Sequence, residues 1–95
     1  MSSPFSELSQ RDASHLSALH GWQIEGGELT RTFSFKDFSA ALAFVNKVGE
    51  QAEKANHHPD IDIRYNRVRL SLVTHSAGGL TAKDFDLAAI ADKLA

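Results

Sequence analysis

The sequence predicts an α+β domain in which four strands form one antiparallel sheet and three helices pack on one face of it, in the order α-β-β-α-β-β-α. Three observations lead there. Three segments repeat apolar residues at steps of three and four, as an amphipathic helix does, and four runs alternate apolar with polar residues, as a half-buried strand does. The strands come in two pairs, each broken by a short turn, which makes hairpins rather than parallel crossovers. Helices with one apolar stripe need a surface to cover, and antiparallel hairpins share an apolar side, so a two-layer stack follows. With 95 residues the chain can close one hydrophobic core, and a single domain is expected over residues 1–95.

The elements follow in order. Ser9-Gln10-Arg11-Asp12 is a capping-box signal, and Leu16 and Leu19 continue at helical spacing, so a first helix is expected over about residues 10–20, stopped by Gly21. Trp22 to Glu25 and Leu29 to Phe35 read as strands around Gly26-Gly27, with Phe33 and Phe35 on one face. Asp37 can cap a second helix, in which Phe38, Ala41, Leu42, Val45, Val48 and Ala52 recur at helical steps up to Asn56. Pro59 disfavours helical geometry at His58, so the chain leaves this helix at the two histidines.

Ile61, Ile63 and Tyr65 then alternate with Asp62 and Arg64, and Val68, Leu70 and Leu72 with Arg69 and Ser71, giving two strands joined through Asn66-Arg67. Gly78-Gly79 ends that hairpin. Thr81-Ala82-Lys83-Asp84 is a second capping box, opening a third helix with Phe85, Ala88, Ala89 and Ile90. The far sheet face and the sheet edges stay open, and pairing of edges between subunits would protect their backbone groups.

Composition removes several function classes. Ten basic against twelve acidic residues, the basic ones scattered, leave no electrostatic footprint for nucleic acid or an anionic membrane. Cysteine is absent, which excludes disulfides, thiolate chemistry and Cys-type zinc sites and suits a reducing compartment. The start lacks a basic segment followed by an apolar one, and no apolar run approaches the roughly 20 residues that cross a bilayer. A cytoplasmic protein is expected, and its small core favours an oligomer.

The chemistry-bearing residues lie between positions 53 and 84: Glu53, His57-His58-Pro59, Tyr65, His75 and Asp84. Imidazole, with an unperturbed pKa of roughly 6.5, both gives and takes a proton near neutrality, so the cluster reads as acid–base chemistry. Glu53 and His57 are one turn apart at the end of the second helix, a spacing that places them on the same side. His75 is expected at the C-terminal end of the fourth strand and meets the others only if that strand end lies beside the helix end.

Each residue also has a plainer reading. His57 could complement the helix dipole, Glu53 could be a solvated helix residue, and Asp84 fills the third position of a capping box. Tyr65 suits a core or an interface, and His75 an exposed strand position. His15 and His20, on or just after the first helix, have no polar partner nearby in sequence and are read as surface residues. Three histidines could hold a catalytic zinc, but adjacent His57 and His58 point apart and no zinc spacing such as His-Glu-x-x-His is present. Nucleophile-elbow and phosphate-loop motifs are absent too. No metal and no organic cofactor are expected.

These positions resemble the pterin-4a-carbinolamine dehydratase family, whose members also serve as dimerisation cofactors of a homeodomain transcription factor. The resemblance runs from Gly21-Trp22 through Phe35-Lys36-Asp37-Phe38, Gln51 to Lys54 and His57-His58-Pro59 to Tyr65-Asn66, Thr74-His75, Gly79-Leu80, Asp84 and Leu87-Ala88. The family pattern of an acidic residue, His-His-Pro, an aromatic, His and Asp is met in order by Glu53, His57 to Pro59, Tyr65, His75 and Asp84.

The resemblance implies a lyase that removes water from 4a-hydroxytetrahydrobiopterin, the product of aromatic amino acid hydroxylases, to give quinonoid dihydropterin for reuse. It implies that His57, His58 and His75 line the pterin pocket, with His58 as proton donor to the departing hydroxyl and His57 or His75 as its partner, while Glu53 orients a histidine. Asn56 to His58 and Val73, Thr74, His75 and Ser76 match the stretches that hold the substrate, and Trp22 and Asp84 stand as pocket or support residues. Asn56, Ile61 and Ser76 replace an Asp, a Trp and a Glu of the animal form, which bears on the pterin side chain accepted. A homodimer or homotetramer is implied, with no direct contact to nucleic acid and none to a membrane. The readings from other classes are a protein-binding module of the same fold and a role in molybdopterin metabolism.

Overall fold

The structure, a computed structural model, describes residues 21–95; the expected first helix, with His15 and His20, lies outside them. The described elements are β1 (Gln23–Glu25), β2 (Glu28–Ser34), α1 (Phe38–Ala55), β3 (Asp60–Arg64), β4 (Arg67–Leu72), a 3-10 turn (His75–Ala77) and α2 (Ala82–Leu94). All strand pairs are antiparallel and the sheet order is β1-β2-β4-β3. The α+β class and the four-stranded sheet are as expected, with two helices among the described residues.

The first hairpin closes on Gly26 and Gly27, whose φ values of 57° and 80° belong to a left-handed two-residue turn that matches strand twist. The second closes on Tyr65-Asn66 rather than Asn66-Arg67. Arg64 pairs with Arg67, so the ladder already includes Arg67, and Tyr65 takes a φ of 51°. It stands 67% exposed, outside the core that its alternation with Ile61 and Ile63 suggested. Asn66 fastens the turn to the end of β2: its Nδ2 donates to Phe35 O at 2.8 Å, and its carbonyl accepts from Phe35 N–H at 2.8 Å.

The register sets Leu29 opposite Leu72 and Phe33 opposite Val68, so one sheet face is apolar. Against it α1 presents Ala41, Phe44, Val48 and Ala52, and α2 presents Phe85, Leu87, Ala88 and Ala91, all buried. Phe44 stacks at 4.8 Å from Phe33 and 4.9 Å from Phe35. Burial of one such ring is worth about 1.5–3 kcal/mol. The apolar stripe of α1 is wider than the sheet beneath it. Phe44, absent from the periodic reading, lies at the centre, while Phe38 and Leu42 remain 47% and 40% exposed.

Helix ends are fixed by side chains. Asp37 accepts from Ala40 N–H at 2.8 Å to start α1, and Thr81 and Asp84 form the reciprocal capping box of α2. At the far end of α2, Asp92 accepts from Trp22 Nε1 at 2.9 Å and from Arg31 Nη1 at 2.8 Å, tying the helix to β2.

Candidate active site

Antiparallel pairing of Asp60 with Ser71 puts the start of β3 beside the end of β4. Residues just before Asp60 and just after Ser71 are therefore neighbours, although the whole β3–β4 hairpin separates them in sequence. There the chain forms a cleft of about 380 Å³ lined by Asn56, His57, His58, Val73, Thr74, His75, Ser76 and Lys83. The geometric condition set by the sequence, that the strand end lie next to the helix end, is met.

The helix stop decides which way each histidine faces. Asn56 adopts the left-handed conformation (φ 49°, ψ 44°) after Ala55, and His57 N–H donates back to Ala52 O at 3.0 Å. This reversal turns His57 inward, and its side chain is 10% exposed. His57 Nε2 lies 2.6 Å from Asp84 Oδ1. Asp84 has no exposed surface; its Oδ2 accepts from Thr74 Oγ1 and from Thr81 N–H, both at 2.8 Å. With Oδ2 occupied by two donors, Oδ1 accepts the His57 Nε2 proton, so the neutral tautomer that fits this contact has its lone pair on Nδ1. Thr74 and Thr81 share a further hydroxyl contact at 2.8 Å, so the carboxylate is held on several sides.

Glu53 partners His58 rather than His57. The one-turn spacing to His57 would hold only if the helix continued; the left-handed Asn56 ends it and carries His58 across to the Glu53 carboxylate. Both side chains are open to solvent, His58 at 55% and Glu53 at 77% exposure. His75 does not sit at the strand end, because β4 stops at Leu72. It begins the tight turn that Thr74 and Gly79 close, with Thr74 N–H donating to Gly79 O at 3.1 Å and Gly78 N–H to His75 O at 3.0 Å. The turn leaves His75 exposed on the rim.

The structure thus brings together seven residues expected at the site, Asn56, His57, His58, Val73, Thr74, His75 and Ser76, with Glu53 behind His58 and Asp84 beneath His57. Asp84, fully buried, supports His57 from beneath. Trp22 is not part of this cleft: its indole packs edge-on against Phe33 at 5.9 Å and reaches Asp92, at the opposite end of α2 from Asp84. Tyr65 is also elsewhere, at the other end of a hairpin whose strands span roughly 17 Å at the usual rise. Lys83 was not anticipated. Its position beside Asp84 in the capping box was the one signal, since a residue next to a buried cap must leave the helix start near the same cleft. Among the described residues, no three His, Cys, Asp or Glu side chains are placed to share a metal ion.

Known proteins share this sequence and fold. A sequence model described as pterin 4 alpha carbinolamine dehydratase matches residues 6–94. A relative from Acidobacterium capsulatum, named "Putative pterin-4-alpha-carbinolamine dehydratase", is 65% identical over 79 residues, covering 83% of this chain and 86% of its own. One from Chloroflexus aurantiacus with the same name is 57% identical over 82 residues, covering 86% and 88%. The crystal structure of a transcriptional coactivator/pterin dehydratase from Brucella melitensis superposes with a TM-score of 0.87 at 40% identity, over 90% of this chain and 94% of the other. A pterin dehydratase-like protein identified as a RuBisCO assembly factor shares the fold, with a TM-score of 0.68 at 24% identity over 79% of this chain and 89% of its own. The chain belongs to the pterin 4 alpha carbinolamine dehydratase family.

Proposed function

We propose that this chain dehydrates a pterin-4a-carbinolamine, 4a-hydroxytetrahydrobiopterin or a close analogue, to the quinonoid dihydropterin and water. The observation that carries the reading is the meeting of three histidines in one cleft, two of them fixed by separate carboxylates. The elimination needs a proton delivered to the C4a hydroxyl and a proton removed from the neighbouring ring nitrogen. The C–O bond breaks, water leaves, and the nitrogen electron pair closes a C=N bond, so the step is balanced without oxidant or reductant. Positioned acid and base groups each contribute about 10²–10⁴-fold in such a reaction.

His58, facing Glu53, is the proton donor in this scheme. His57, whose Nε2–H is held by Asp84, offers a bare Nδ1 as the acceptor, with His75 on the rim as the other candidate. The physiological setting that fits is tetrahydrobiopterin recycling beside aromatic amino acid hydroxylases, in the cytoplasm, as a homodimer or homotetramer. Among the described residues the edge of β3 has no pairing strand, and this edge and the exposed Phe38, Leu42 and Ile61 support self-association. Among the described residues no helix is long and apolar enough to cross a membrane.

The test is ultraviolet absorbance during dehydration of freshly generated 4a-hydroxytetrahydropterin. Wild type should accelerate it and His58→Ala should not. Failure of the wild-type chain to exceed the spontaneous rate would overturn the reading in favour of a binding module of the same fold.

A further inference from the structure

We infer that the cleft selects pterins whose side chain carries an anionic group, a phosphate monoester or a carboxylate, and that Lys83 is the residue that determines this specificity. The inference rests on the pterin reading proposed above and deepens it. Of the described residues that line the cleft, Lys83 is the one with a permanent charge, and none is a carboxylate. The carboxylates of Asp84 and Glu53, which adjoin the histidines, are already engaged: Asp84 is buried under His57, and Glu53 lies against His58. The described ion pairs do not include the Lys83 ammonium, and its only described hydrogen bond is made by its backbone N–H to Thr81 Oγ1.

The remaining lining is neutral or histidine. Asn56, Thr74 and Ser76 can hydrogen-bond a pterin but carry no charge to offset the ammonium. A fused pterin ring occupied by the three histidines must extend its substituent toward some wall of the cleft. The wall formed by the start of α2 presents a cation there. A neutral hydroxylated side chain gains nothing from that charge beyond an ordinary hydrogen bond, whereas an anion gains a charge-assisted one, which is about twice as strong. Lysine acts here as a point charge on a flexible stem, so it accepts either anion without fixing one geometry.

The experiment is fluorescence titration of the full chain with three stable oxidised pterins: neopterin, neopterin carrying a terminal monophosphate, and folate with its glutamate carboxylates. Wild type, Lys83→Gln and Lys83→Arg are compared at low and high salt. The expected result is roughly tenfold tighter binding of an anionic pterin than of neopterin, a ratio that shrinks with salt, falls to near one in Lys83→Gln and persists in Lys83→Arg. A preference for the phosphate alone or for folate alone identifies which anion the cleft receives. Equal affinity for neopterin and both anionic pterins, or a preference that survives in Lys83→Gln, overturns the inference. If neopterin binds and its carbinolamine is dehydrated without any anionic preference, the dehydratase reading stands and the specificity inference alone fails. If none of the pterins binds, the specificity inference fails, and if the chain also does not accelerate dehydration of the carbinolamine, both fail.

Discussion

Replacing Asp84 by Asn isolates what the buried carboxylate does. Asn at this position keeps the shape but one of its two polar atoms becomes a donor. Thr81 N–H can only donate, and it points at the Oδ2 position from 2.8 Å, so the amide oxygen must take that place. The amide nitrogen then faces His57 Nε2, 2.6 Å away in the native chain. His57 must accept there and carry its proton on Nδ1, the opposite tautomer from the one that Asp84 imposes.

Two magnitudes follow. A buried hydrogen bond to a charged group is exchanged for a neutral one, a loss of about 1–1.5 kcal/mol. For a domain of this size that lowers Tm by about 4–8 °C per kcal/mol. The turnover loss is larger, because a protonated Nδ1 has no lone pair with which to accept the ring-nitrogen proton; kcat should fall by about 10²–10⁴-fold with the chain still folded. The assay pairs the absorbance rate with thermal melting and with nitrogen-15 shifts of the His57 ring, which report the tautomer directly. A variant that shows the switched tautomer yet turns over within about threefold of wild type would refute the assignment of His57 and move the acceptor role to His75.

Other outcomes are expected on the same grounds. Glu53→Gln should change stability by less than about 0.5 kcal/mol in urea unfolding, since both partners are exposed, yet slow dehydration by weakening the hold on His58. Thr74→Val should lower stability by about 1 kcal/mol by removing a hydroxyl from the buried carboxylate, as read by the same unfolding midpoint. Phe44→Ala, which deletes the ring between Phe33 and Phe35, should destabilise by about 3–5 kcal/mol and bring the chain close to unfolding at room temperature. Dialysis against a chelator should leave the dehydration rate unchanged.

The parts of the fold most legible in the sequence were those with short-range causes. Asp37 and the Thr81 to Asp84 box act over three residues, and the Gly26-Gly27 turn needs only its own φ angles. The second hairpin was misread by one residue because Tyr65 continues the alternation of Ile61 and Ile63, and periodicity does not reveal that a tyrosine will accept a positive φ. The pairing of Glu53 was misread for a related reason. Helical spacing places it beside His57, and only the left-handed turn at Asn56, a single dihedral choice, redirects it to His58. The clustering of the site itself depends on the long-range register of Asp60 with Ser71, which no local pattern encodes. Resemblance to a family carried that information where residue patterns could not. Trp22 lies away from the cleft, and its indole serves the join between α2 and β2.

Asn56 has a consequence for how this site can vary through evolution. It ends α1 in a conformation that disfavours most side chains, and it also faces the cleft. Glycine would relieve the backbone by up to about 1 kcal/mol but remove the amide; a β-branched or bulky residue would keep a side chain but distort the turn that aims both neighbouring histidines. The tolerated alphabet at this position is therefore short and polar, essentially asparagine and aspartate. A change in substrate preference made there is confined to switching one charge on or off, and larger remodelling of the cleft has to come from the opposite rim, where the left-handed turn position is filled by Gly78, outside the cleft lining, and neither His75 nor Lys83 has a positive φ.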